Sequence, residues 1–305
     1  MTDPLSVGVV VPTRDRPDML RETLAAIRSQ DYPGRVETVV VFDQSAPDQS
    51  LAVDDPERPV RVISNTRRPG LAGGRNSGIC SLGTDLVAFC DDDDTWLPGK
   101  LSAQVAALTA HPAAQFVCTG IQVDYDGRTV DRVLQQAEVT LPELLRSRLT
   151  ELHPSTFLIR RLQLVEGFGL VDENIPGSYA EDYEFLLRAA RAAPLLNLPV
   201  VWVNVRWHKQ SYFASRWDTI STALVWLLER YPEFRTVPRG EARVSGQIAF
   251  ANAAAGDRRG AVRWAGRTLR RNPREPRAYL ALAVAGRAVG ADTVMRRLHQ
   301  RGKGL

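Results

Sequence analysis

Four consecutive carboxylates, Asp91-Asp92-Asp93-Asp94, follow the apolar run Leu86-Val87-Ala88-Phe89-Cys90 and precede Thr95-Trp96-Leu97-Pro98. Two such charges about 6 Å apart repel by roughly 3 kcal/mol at an effective dielectric near 20, so the run needs a cation or hydrogen-bond donors. A hard divalent metal with oxygen ligands suits it; a solvated acidic turn is the plain alternative. Glu181 and Asp182 open a helical stretch, Tyr179 to Arg188, with Glu184 a third acid in its first turn. Acids there complement the helix dipole, and a carboxylate so placed beside aromatic residues can also accept a proton from a bound hydroxyl. His208, at the end of the run Val200 to Trp207, is either a structural imidazole or a metal ligand. Arg75 lies in a glycine-rich stretch, Gly70 to Ile79. A guanidinium beside a glycine turn suits a phosphate, as does the start of the short helix expected after it. The G-x-G-x-x-G spacing of a dinucleotide site is absent.

The elements that must position these groups alternate. Val7–Val11, Thr38–Phe42, Val60–Ile63, Leu86–Cys90, Phe116–Val123 and Val200–Trp207 read as strands. Between them, Met19, Leu20, Leu24 and Ile27, then Leu101, Val105, Ala106 and Leu108, recur at helical spacing. Asp15 or Asp18 is expected to cap the first of these helices, and Pro98 to open the second. This order predicts an α/β fold with a Rossmann-like, mostly parallel sheet flanked by helices, with ligands gathered outside the carboxyl ends of the strands. Asp43 and the run Asp91–Asp94 should share that edge. His153 to Arg161 reads as strand-like, whereas residues 128–152 carry no legible period.

With 305 residues, 44% hydrophobic and 24% charged, the composition is that of a soluble globular protein with room for one large domain and an appendage. No apolar run approaches the roughly 20 residues of a membrane span, and the first residues lack the basic segment of a signal peptide. Cys80, Cys90 and Cys118 read as buried free thiols of a reducing compartment. A cytoplasmic protein is expected, peripheral at the inner face of the membrane, with no nucleic-acid partner. The net charge of +4 hides an asymmetry, because residues 257–305 hold 13 Lys or Arg against 3 acids. That basic tail is a candidate for an anionic membrane surface. Past residue 214 the pattern turns helical, with breaks at Gly256-Asp257, Asn272-Pro273 and Gly290-Ala291 like those of degenerate tetratricopeptide hairpins. The expected division is 1–213 and 214–305.

Taken in order, Val-Val-Pro-Thr-Arg-Asp-Arg after the first strand, Asp43 after the second, Gly-Gly-Arg-Asn-Ser-Gly, the Asp-x-Asp within Asp91–Asp94, Trp96-Leu97-Pro98, Glu181-Asp182 and His208 resemble one family, the family 2 glycosyltransferases of GT-A fold. The resemblance covers residues 7–211 and leaves the helical tail outside. It implies inverting transfer of a sugar from a UDP-, GDP- or dTDP-linked donor to a glycan, lipid-linked or small-molecule acceptor, in polysaccharide or glycoconjugate biosynthesis. Carried over, it implies that Pro12, Thr13, Arg14 and Asp43 hold the base and ribose, and Arg75 the nucleotide side of the pocket. Asp92 or Asp91 would touch the ribose. Asp93 would bind Mn²⁺ or Mg²⁺, with Asp91 and His208 in the metal shell. Asp182 would be the catalytic base, with Glu181 beside it. Two rivals remain: a haloacid-dehalogenase-type phosphatase using Asp-x-Asp-x-Thr, and a non-enzymatic scaffold built on a degenerate transferase domain.

Overall fold

The computed structural model describes residues 3–125, 127–207 and 216–299. In chain order the elements are β1 (Val7–Thr13), α1 (Pro17–Arg28), β2 (Val36–Phe42), β3 (Val60–Ser64), α2 (Leu71–Ser81), β4 (Leu86–Phe89), β5 (Thr95–Trp96), α3 (Lys100–Ala110), β6 (Phe116–Tyr125), β7 (Arg128–Arg132) and β8 (Glu138–Val139). There follow α4 (Leu141–Arg146), β9 (Leu158–Arg160), α5 (Glu181–Ala192), β10 (Leu195–Arg206), α6 (Trp217–Arg230), α7 (Pro238–Ala255), α8 (Arg258–Arg271), α9 (Pro276–Ala285) and α10 (Ala291–His299). They form two compact units: residues 1–141, 149–173 and 181–209, and residues 142–148, 174–180 and 210–305.

The first unit is built on one sheet, in the order β3-β2-β1-β4-β9-β6-β10-β5, with β7 paired to β6 and β8 to β10. Strands β3, β2, β1 and β4 are parallel, as are β6 and β10. All seven residues of β1 and all four of β4 are buried, which is why these strands are continuous apolar runs rather than alternating ones. On one side Leu20, Leu24 and Ile27 of α1 and Leu101, Val105 and Leu108 of α3 join a core with Val9, Val40 and Ala88. Elsewhere in the core, rings from β4, β6 and α5 meet: Phe116 lies 4.9 Å from Phe157, and Phe89 5.7 Å from Phe185. Such aromatic pairs contribute about 0.5–1.5 kcal/mol each beyond their buried area, and they seat the helix that begins at Glu181.

The sheet is less regular than the sequence pattern predicts. Strand β9 is inserted antiparallel between β4 and β6, and β5, β7 and β8 are short pieces paired antiparallel to longer strands. Helix α1 is not capped by Asp15 or Asp18: Arg16 is its N-cap and makes no side-chain capping bond, while Pro17 supplies the preset φ of the first turn. Helix α3 begins at Lys100 rather than Pro98, because Thr95 and Trp96 pair with β10 and Gly99 follows in the left-handed region at φ 89°. The glycine-rich stretch is not a loop ahead of a helix; Gly70 is the N-cap and the glycines lie inside α2. They let that helix approach closely, since a Cβ at Gly73 would fall 1.9 Å from the Arg68 carbonyl oxygen and one at Gly78 2.4 Å from Val10 Cγ1. Cys90 and Cys118 are buried, but Cys80 is exposed on α2.

The second unit is helical. Ile220, Leu224, Leu227 and Leu228 form the buried face of α6, and Trp217 meets Phe250 of α7 edge-on at 5.7 Å. Alanines dominate the seam of α7, α8 and α9, namely Ala249, Ala253, Ala261, Ala265, Ala278 and Ala281, so the helices are held by small side chains at close approach. Asp257 caps α8 by accepting from the Gly260 amide at 2.9 Å. Part of the basic charge is internal: the buried Glu241 accepts from Arg267 at 2.8 Å and pairs with Arg271 at 2.7 Å. Among the described residues no helix is long and apolar enough to cross a membrane.

Candidate active site

Because β1, β2 and β4 are parallel and in register, their carboxyl ends deliver Thr13, Asp43 and the acidic run to one edge. The chain turns tightly there. Asp15 has φ 56° and Gln44 φ 57°, and Ala180, just before Glu181, has φ 63°. Left-handed backbone at non-glycine residues costs of order 1–3 kcal/mol and gathers at functional sites.

Each of the four carboxylates has its own partners. Asp91 accepts from Arg75 Nη2 at 2.8 Å, and its backbone amide donates to Ser155 Oγ at 2.9 Å. Asp92 accepts from Thr13 Oγ1 at 2.7 Å and from Arg16 Nη1 at 3.1 Å, and the same nitrogen pairs with Asp93. Asp94, 1% exposed, accepts from Ser155 Oγ at 2.5 Å and lies 3.3 Å from His153 Nδ1. Trp96 Nε1 donates to the Ser155 carbonyl at 2.9 Å, and Thr23 Oγ1 donates to that of Asp94 at 2.7 Å.

Three of the carboxyls are held above the usual carboxylate range. Burial, and then the charge of Asp91, pushes Asp93 up to about 6. The same two causes raise Asp94, and burial raises Asp92 against the pull of Thr13 and Arg16. Ligand atoms of Asp91, Asp94 and His153 lie within 4.8 Å of one another. This oxygen-rich set with one imidazole fits a hard divalent cation.

Arg75 does not face an open pocket. Its side chain is 2% exposed and spans from Asp91 to Glu181, with the Phe89 ring 5.5 Å away. It thus ties the turn after β4 to the first residue of α5. Burial pushes Glu181 up to about 7 while Arg75 pulls the other way. Asp182, next along the helix and more accessible than the buried Glu181, stands beside this buried pair.

Pro12 and Thr13 are buried at the end of β1, and Arg14 is exposed, its guanidinium 3.8 Å from Asp15. Asp43 accepts from Asn65 Nδ2 at 2.7 Å and from the Gly70 amide at 3.0 Å, so it links the end of β2 to the start of α2. His208 lies outside the described residues. The sequence reading missed Ser155, His153 and Arg16. A His two residues before a Ser, at the head of a strand-like segment, was the available signal for the first two; it required knowing that β9 lies beside β4.

The arrangement has relatives. The model of glycosyl transferase family 2 matches residues 8–169, more than half of the chain. A Campylobacter jejuni protein described as GalNAc(5)-diNAcBac-PP-undecaprenol beta-1,3-glucosyltransferase is 33% identical over 101 residues, about a third of either protein (32% of each). A Bacillus subtilis protein described as uncharacterized glycosyltransferase YwdF is 25% identical over 199 residues, 64% of this chain and 72% of its own. Among solved structures, S. aureus TarS 1-349 in complex with UDP-GlcNAc has a TM-score of 0.62 at 19% identity, covering 98% of this chain and 93% of that one. The mannosyltransferase PcManGT from Pyrobaculum calidifontis, in complex with GDP-Man and Mn²⁺, has a TM-score of 0.57 at 20% identity, covering 97% and 79%. These likenesses confirm the fold, and with the acidic run following β4 they leave the phosphatase alternative without support. The chain belongs to glycosyl transferase family 2.

Proposed function

We propose that the protein transfers a sugar from a nucleoside-diphosphate sugar to an acceptor hydroxyl, with inversion, in the assembly of a polysaccharide or glycoconjugate. The observation that carries the reading is the buried Arg75 bridge, which fixes the start of α5 against the acidic turn. Asp182, more accessible than Glu181, follows directly on the carboxylate that Arg75 ties to Asp91. In this reading Asp182 accepts the acceptor hydroxyl's proton as that oxygen attacks the anomeric carbon in line, and Glu181 holds the helix start through Arg75. Pro12, Thr13, Arg14 and Asp43 shape the nucleoside wall, and Asp91 or Asp92 lies nearest the ribose. A divalent ion, Mn²⁺ or Mg²⁺, would be held by Asp93 and Asp91 with Asp94, His153 or His208 completing the set. When bound it supplies Lewis-acid stabilisation of the departing diphosphate.

The relatives' descriptions agree with a nucleotide-sugar donor and a lipid-linked or glycan acceptor, and residues of this chain do not choose between bases. Thermal unfolding with a panel of UDP-, GDP- and dTDP-sugars, each with and without Mn²⁺, tests the reading. A ligand at 100 times its Kd adds about 2.7 kcal/mol, so one donor class should raise Tm by several degrees only with the metal. No shift with any donor would point to the scaffold alternative.

The helical unit is proposed to rest on anionic lipid. Arg259, Val262 and Arg263 are exposed one turn apart on α8, and Val262 is 56% exposed, a basic face with an apolar contact as interfacial helices have. Co-sedimentation should be strong with anionic vesicles, weak with neutral ones, and reduced by salt. Equal binding to both would assign the face to packing or self-association.

A further inference from the structure

Arg16 and Arg75 both neutralise the acidic run, but they are built differently. Arg75 is enclosed, whereas the Arg16 side chain is 40% exposed and reaches carboxylates that are only 9% and 16% exposed. One nitrogen, Nη1, serves both Asp92 and Asp93, so the guanidinium sits over the pair from the solvent side. Asp92 does not depend on it, because Thr13 Oγ1 holds the other oxygen at 2.7 Å. Arg16 stands directly before Pro17, the first residue of α1, and a swing of its half-exposed side chain is the smallest motion that uncovers the two carboxylates. Its charge adjoins Asp93, the carboxylate assigned above to the metal.

We infer that Arg16 is a displaceable internal counter-ion, which covers Asp92 and Asp93 when the metal site is empty and turns onto the donor's phosphate oxygens when the cation enters. This inference rests on the proposed metal and diphosphate reading. A cation arriving alone must displace a guanidinium that then has no partner. A cation arriving with a diphosphate brings a new anion for Arg16, and a guanidinium can pair with phosphate oxygens bidentately. Metal and nucleotide therefore bind with positive coupling, and Arg16 carries part of it. The device keeps the acidic turn neutralised between turnovers and discourages occupation by metal alone.

The test measures Mn²⁺ binding by electron paramagnetic resonance, without and with a saturating nucleoside diphosphate, in wild type, Arg16→Ala and Arg16→Gln. Removing the competing cation should tighten Mn²⁺ binding without nucleotide by about fivefold, and nucleoside diphosphate binding in excess Mn²⁺ should weaken by a similar factor. The two changes have opposite signs, which neither misfolding nor simple loss of a phosphate contact produces. Mn²⁺ affinity in both variants equal to or weaker than wild type, without nucleotide, would overturn the inference. Wild type that binds no Mn²⁺ under either condition would instead overturn the metal reading on which it rests. Arg16→Lys, a cation without the planar fork, should fall between wild type and Ala in both measurements.

Discussion

Replacing Asp182 by Asn should lower release of nucleoside diphosphate from the preferred donor, with acceptor present, by about 10² to 10⁴ while leaving donor binding and Tm nearly unchanged. A positioned carboxylate that removes a proton in the transition state contributes a factor of that size. An acid whose only role is to complement the dipole of α5 contributes at most about 1 kcal/mol, in stability and not in rate. The amide keeps the shape and loses the basicity, so turnover and unfolding separate the two roles. Retained turnover would move the proton to another group. Glu181 is a poor substitute as it stands, because its carboxylate is buried and engaged by Arg75.

The second large effect is on stability. Arg75→Met should cost about 3–5 kcal/mol, measured by denaturant unfolding, because it leaves Asp91 and Glu181 without the cation both were folded around. The resemblance to the family implies a nucleotide contact for Arg75, and the two roles give opposite results. A residue facing the donor would lose affinity and keep stability; a buried strut loses stability first. The double variant Arg75→Met with Glu181→Gln should recover part of the loss, since the neutral amide no longer needs the guanidinium, and the departure from additivity measures the pair.

The half of the sheet formed by β1 to β4 was legible because parallel strands buried on both faces appear as bare apolar runs, each closed by a polar residue at the carboxyl end. Asp43 and the run Asp91–Asp94 were therefore placed on one edge by pattern alone. Residues 128–152 were not legible, because β7 and β8 are too short to show a period; His153–Arg161 reads as strand-like, but its antiparallel place between β4 and β6, far along the chain, leaves no local signal. Ser155 and His153, which hold Asp91 and Asp94, were lost with it. Local rules failed where tertiary contacts took the residue. Pro98 does not open a helix because Trp96 is claimed by β10 and by the Ser155 carbonyl. Arg16 takes the N-cap position of α1 while its side chain is drawn to Asp92 and Asp93. Likewise, a glycine-rich stretch that reads as a phosphate loop is a close-packed helix, and its arginine is an internal strut.

The claim on which the rest depends is that the turn after β4 receives a diphosphate through a divalent cation. Calorimetric titration of UDP, GDP and dTDP into the protein, once in EDTA and once in Mn²⁺, measures it directly. For the preferred nucleotide, binding is expected in Mn²⁺ and at least about tenfold weaker binding, or none, in EDTA, a difference of about 1.4 kcal/mol or more. Asp93→Ala in Mn²⁺ should behave like wild type in EDTA. Equal affinity in the two conditions would mean that the nucleotide binds without the metal and that Asp93 does not hold one.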